Sequence, residues 1–216
     1  MNELSRLIET YLMVLVHPFR IHQQFRYRLP IPNHEGHLYE PLTLAESLGI
    51  SWVFAILRGL GRVIVLNFFL HSFLSMHSET FPFLQELLEN SGTSSYYFLL
   101  FSAALDVIFF PIGAIVMTEV WTWVIRKYAE FLGPELPHSD IADQITAHAL
   151  SANLFSIIPF IGDLVQFVLY YFLLYAGLRS NLGATRSLAA VILLTPMLFM
   201  AMMVSLFLVV IFYLLA

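Results

Sequence analysis

Residues Ile50–Leu70 read ISWVFAILRGLGRVIVLNFFL. A bilayer core about 30 Å thick is crossed by roughly 20 apolar residues in a helix, and this stretch meets that requirement. It also carries Arg58 and Arg62. An arginine at the centre of a membrane helix costs about 2.5–3.5 kcal/mol on insertion scales, so something elsewhere in the chain has to answer the two cations.

The composition supports the membrane reading. Of the 216 residues, 59% are hydrophobic and only 12% charged, and the mean hydropathy is +0.78. A soluble domain of this size could not bury so much apolar surface. The net charge of −5 and the scattered basic residues exclude a nucleic-acid surface, which needs a basic stripe. With 0 cysteines there is no disulfide framework, thiolate metal site or cysteine nucleophile. The N-terminus lacks a convincing signal peptide, because Glu9 interrupts its apolar run.

Working outward, Leu4, Leu7, Ile8, Tyr11, Leu12 and Leu15 recur at helical spacing and stop before Pro18. This amphipathic helix is too short to span. It either lies in the membrane interface, the expected place, or packs under the bundle. The proline-containing stretch from Arg20 to Gly49 reads as a linker. Residues 75–95 form an acidic, polar loop with a short helix at FPFLQELLE. Pro111 and Gly113 predict a kink or tilt in the second span, and IPFIGD at 158–163 marks a turn between two short helices. The fold class is therefore an all-α integral membrane protein. Residues 1–48 are helix and linker, followed by a five-helix transmembrane bundle with spans near 50–74, 97–125, 141–159, 163–179 and 187–215.

Orientation follows from the loop cations. Arg6, Arg20, Arg26, Arg28, Arg126, Lys127, Arg179 and Arg186 all fall on one side of a five-span arrangement, so the N-terminus is expected in the cytoplasm and the C-terminus on the opposite side. Trp52, Trp121 and Trp123 then sit together as a cytoplasmic aromatic belt.

Depth matching supplies an answer to the arginines. Arg62 lies about 12 Å from the outer edge of the core and Asp106 about 14 Å from that edge, so the carboxylate on the antiparallel neighbour is the expected partner. Arg58 shares the Arg62 helix face. Two cations against one anion leave an excess of one positive charge, which would favour an anionic or phosphate group. A structural ion pair, or Arg58 reaching to the headgroups, is the competing account.

Other chemistry is weaker. The NHEGH cluster at 33–37 lacks the spacing of a helical zinc site, as do His71, His77 and Glu79, so no metal is expected. No phosphate loop, dinucleotide fingerprint or nucleophile elbow occurs. PHSD at 137–140 is adjacency without triad geometry, and no catalytic residue or cofactor is assigned. Gly59, Gly61 and Gly177 suit close helix packing.

The C-terminal half, SANLFSIIPFIGDLVQFVLYYFLLYAGLRSNLGATRSLAAVILL, resembles the Yip-one (Ypt/Rab-interacting protein) domain family of polytopic membrane proteins. Pro159, Gly162, Gly177 and Gly183 carry the resemblance, with LVHPFR near the N-terminus. Eukaryotic members of that family are associated with Rab-type GTPases and membrane traffic. The chain lacks their long cytosolic N-terminal region, so the resemblance is to a bacterial-type member in the inner (cytoplasmic) membrane. It implies a noncatalytic membrane-organising or partner-binding scaffold, with membrane lipids and a membrane-protein partner or a second copy as its contacts. The alternative is a transporter or lipid-translocating protein with an anion or phosphate site at Arg58, Arg62 and Asp106.

Overall fold

The computed structural model describes residues 3–27, 39–77, 82–132 and 138–215, and among these every regular element is helical. Helix α1 spans Glu3–Val16, α2 Pro18–Tyr27, α3 Leu44–His77, α4 Pro82–Leu132, α5 His138–Ala149, α6 Gly162–Gly177 and α7 Arg186–Leu215. A 3₁₀ segment, Leu150–Ile157, extends α5, and a π-helical turn, Leu178–Leu182, ends α6. Among the described residues, three stretches are long and apolar enough to cross a membrane: Leu44–Leu66 in α3, Tyr97–Leu132 in α4 and Arg186–Tyr213 in α7.

Local chemistry sets the starts. At α3, Thr43 and Glu46 exchange hydrogen bonds: the Glu46 N–H donates to Thr43 Oγ1 at 3.2 Å and the Thr43 N–H donates to Glu46 Oε2 at 2.7 Å. This reciprocal capping satisfies donors that the first turn leaves unpaired. Thr185 does the same for α7, accepting from the Leu188 N–H at 3.3 Å. Helix α4 begins on a proline, whose missing N–H costs nothing in a first turn.

Two expectations change here. The expected linker after residue 20 contains helix through Tyr27, because Phe19, Ile21, His22 and Phe25 give it a packing face. The expected 75–95 loop is helical from Pro82 onward, continuous with the second span. The NHEGH cluster and Glu79 lie outside the described residues.

The buried core sits at one end of the long helices. It combines Val14 and Ile21 with Trp121, Val124 and Ile125 of α4, Ile145 of α5, Leu173 and Leu174 of α6, and Ile192 of α7. Helix α1 is part of it, with Tyr11 at 1% exposure donating to the Leu150 carbonyl at 3.0 Å and meeting Ser51 Oγ at 3.1 Å. The amphipathic helix therefore packs into the fold, while Leu4, Ile8, Leu12 and Val16 stay exposed along its other side. Trp121 is corrected from belt to core, being 1% exposed, whereas Trp52 and Trp123 remain exposed.

His22 is buried in this core against His148, with ring centroids 5.2 Å apart. His148 Nε2 accepts the Leu42 N–H at 3.1 Å, and that acceptor role requires its neutral form. Neither His22 nitrogen has a hydrogen-bond partner among the described residues. Burial lowers the His22 pKa from 6.5 to about 4. A depressed folded-state pKa gives stability that is complete above the unfolded value of 6.5 and is lost as pH falls toward 4. Acidification from pH 7 to pH 4 should thus remove about 3 kcal/mol through this group. Thermal unfolding of wild type beside His22→Leu checks it: the wild-type loss should exceed the variant's across that window.

The stretch from 141 to 179 folds as a hairpin of α5 with its 3₁₀ extension, a turn at Ile158–Ile161, and α6. None of its helices taken singly is among the three long apolar spans. Gly162 opens α6 where a Cβ would lie 2.5 Å from the Phe155 carbonyl oxygen, and Gly177 lets α6 approach Ile145. Gly183 has φ +77°, the left-handed cap of the π-helical turn. At the hairpin tip Phe160 holds φ 65° and is 79% exposed. A left-handed phenylalanine is strained by about 1 kcal/mol, so Phe160→Gly should raise stability by about that amount in a denaturation assay.

Candidate functional site

The arginines and the residues that answer them come from three helices. Arg58 and Arg62 lie one turn apart on α3, as their four-residue spacing requires. Arg62 Nη1 donates to Asp106 Oδ2 of α4 at 2.8 Å, and Arg58 Nη2 lies 3.7 Å from the same oxygen. The depth-matched pair is therefore formed. A second carboxylate completes the set: Asp163, in the first turn of α6, accepts from Arg58 Nη1 at 3.3 Å and pairs with Arg62 Nη2. Two guanidiniums face two carboxylates, and the excess positive charge expected from sequence is cancelled.

Asp163 was legible in principle. It is the only charged residue between Leu150 and Leu178, and the cost that singled out Arg58 applies equally to a carboxylate in an apolar run. Its place at the end of the IPFIGD turn motif masks that cost. Pro159 and Gly162, from the same motif, set the turn that brings Asp163 to the arginines. Gly177 and Gly183 lie at the far end of α6, away from the charges.

The neighbouring backbone is also accounted for. Pro111 has no N–H, so the carbonyl four residues earlier, that of Val107, loses its helical donor. The Trp52 indole N–H donates to that carbonyl at 2.9 Å. In lipid a bare carbonyl has no water to turn to, and the tryptophan replaces the missing bond. Trp52→Phe should cost about 1–2 kcal/mol, and the cost should shrink when Pro111→Ala restores the helical donor. A double-mutant cycle of detergent unfolding measures this coupling.

Behind the ion network, Gln166 Nε2 donates to Asn153 Oδ1. These side chains join Arg58, Asp106 and Asp163 in lining a cavity of about 560 Å³ between α4 and α6. The arrangement offers fixed charges of both signs and no nucleophile paired with a base.

Comparison with known proteins finds no matching family model, no matching curated protein and no matching solved structure.

Proposed function

We propose that the chain is a noncatalytic scaffold of the bacterial inner membrane, of the kind the Yip-one resemblance implies, organising the bilayer or a membrane-protein partner. One observation carries this reading. The deep charges are matched two against two by the chain itself, so they tie α3, α4 and the hairpin together and leave no unmatched cation for an anionic substrate. The exposed row Leu4, Ile8, Leu12 and Val16 on a firmly docked helix suits contact with lipid or with a partner.

In this proposal the N-terminus is cytoplasmic and the hairpin is re-entrant. Exposed apolar side chains on α3 run from Trp52 to Phe69, which puts Arg58 and Arg62 near the middle of that band. Those on the hairpin run only from Ile158 to Phe172, of which Gly162–Phe172 is about 15 Å of helix, before α6 enters the buried core at Leu173. The tip then stops near the midplane, with Asp163 neutralised there. Three spans and five spans both place the C-terminus opposite the N-terminus, so only the tip distinguishes them.

The test uses purified protein in liposomes. Neither lipid scrambling nor anion flux above protein-free vesicles is expected. Any partner identified with wild type should be lost from Leu4→Ser/Ile8→Ser/Leu12→Ser, whose exposed positions leave the core intact. Flux that disappears in Arg58→Ala/Arg62→Ala would overturn the proposal in favour of translocation.

A further inference from the structure

The cavity between α4 and α6 has a chemical bias that the ion network alone does not. Its lining includes Arg58, Asp106 and Asp163, and also Tyr171, whose ring meets Trp121 edge-on at 5.7 Å. Arg62 is not in its lining and instead lines a smaller cavity beside Pro159 and Phe160. The larger cavity therefore presents two carboxylates and one guanidinium. The carboxylate side chains are the more accessible, at 46% and 53% exposure against 16% for Arg58. The four-residue network is neutral as a whole, but with Arg62 outside this lining the accessible charged atoms on the cavity wall are chiefly carboxylate oxygens, and nearby charges act strongly where water is scarce.

The rest of the lining agrees. Phe109, Phe110, Phe167 and Tyr170 belong to the same lining, and aromatic faces attract cations. The Tyr170 hydroxyl is buried and has no hydrogen-bond partner among the described residues, although it belongs to this lining. An unpaired buried hydroxyl is costly, and a bound polar group would relieve it. Phe109 and Phe167 are 57% and 53% exposed, so the opening faces sideways, where a ligand would enter from the bilayer.

We propose that this cavity binds a lipophilic organic cation: an ammonium or phosphonium centre held by Asp106 and Asp163, with an aromatic or aliphatic body against the phenylalanines. The site is selective for the sign opposite to the one the two arginines first suggest. It stands independently of the scaffold reading, since binding requires no transport.

Gly113 supplies the test. It lines the cavity, and a Cβ built there meets nothing within 4 Å. Gly113→Leu should fill the space while favouring the helix. Tetraphenylphosphonium and tetraphenylborate have nearly the same shape and opposite charge. Each is titrated into wild type and Gly113→Leu in phosphatidylcholine nanodiscs, with unfolding scans confirming that the variant is folded and cross-linking reporting oligomeric state. Tetraphenylphosphonium should bind wild type saturably and the variant about tenfold more weakly, a 1.4 kcal/mol difference. Tetraphenylborate should give the same non-saturating partition into both. The proposal is overturned by equal or tighter plug-sensitive binding of tetraphenylborate, by cation binding that Gly113→Leu leaves unchanged, or by no saturable binding. A loss of oligomer in Gly113→Leu would also overturn it, assigning the cavity to a helix of a second copy.

Discussion

Replacing Asp163 by asparagine should lower the unfolding free energy in detergent or bicelles by about 3 kcal/mol, the cost of leaving an arginine unanswered at depth. Asp163 contacts both Arg58 and Arg62, and Asp106 contacts both as well, Arg62 more closely, so the loss of Asp163 leaves two guanidiniums on one carboxylate. The compensating change is Arg58→Gln, because Arg62 retains its 2.8 Å contact with Asp106. The double variant Arg58→Gln/Asp163→Asn should recover a large part of the deficit, since two neutral amides can hydrogen-bond each other without an excess charge. Additive losses would mean that water or lipid headgroups, and not the opposite charges, satisfy these side chains.

The second large effect is steric. Gly162→Ala should cost about 3 kcal/mol, at the upper end of the usual overpacking range. Its Cβ would meet the carbonyl oxygens of Phe155 at 2.5 Å and Ser156 at 3.0 Å. Both obstacles are backbone atoms of the 3₁₀ segment and cannot rotate away. The turn would open and carry Asp163 with it, so the loss should not add to that of Asp163→Asn. Gly113→Ala provides the contrast: with open space around it, that substitution should be neutral or gain up to about 1 kcal/mol.

Much of this was readable from residue types. Helical class and the three long apolar stretches follow from hydropathy, and the Arg62–Asp106 pair followed from counting rise per residue along antiparallel helices. Gly162, Gly177 and Gly183 stood out as small residues at motif positions, and the structure gives each one a steric or conformational reason. What sequence did not give was the course of residues 141–179. An apolar run of that length is compatible with two crossings or with a shorter dip, because periodicity measures polarity and not depth. In the structure Leu173, Leu174 and Leu178 enter a core shared with α2, α4 and α5, which is the observation behind the shorter dip proposed above. Trp121 and the apolar face of α1 were misplaced for the same reason: an aromatic or amphipathic residue near an interface looks identical whether it meets lipid or protein.

The account turns on the hairpin tip stopping inside the bilayer, pinned by Asp163, and one labelling experiment addresses it directly. The chain has 0 cysteines, so Ile161→Cys, at a position 57% exposed in the tip, carries the sole thiol. A membrane-impermeant maleimide applied separately to each face of sealed vesicles should leave it unlabelled, whereas the same reagent should label it once detergent removes the bilayer. Ser139→Cys, at the exposed start of α5, serves as the control that reacts without detergent from the N-terminal side. Labelling of Ile161→Cys in intact vesicles from the face opposite the N-terminus would contradict the account, because the hairpin would then cross the membrane.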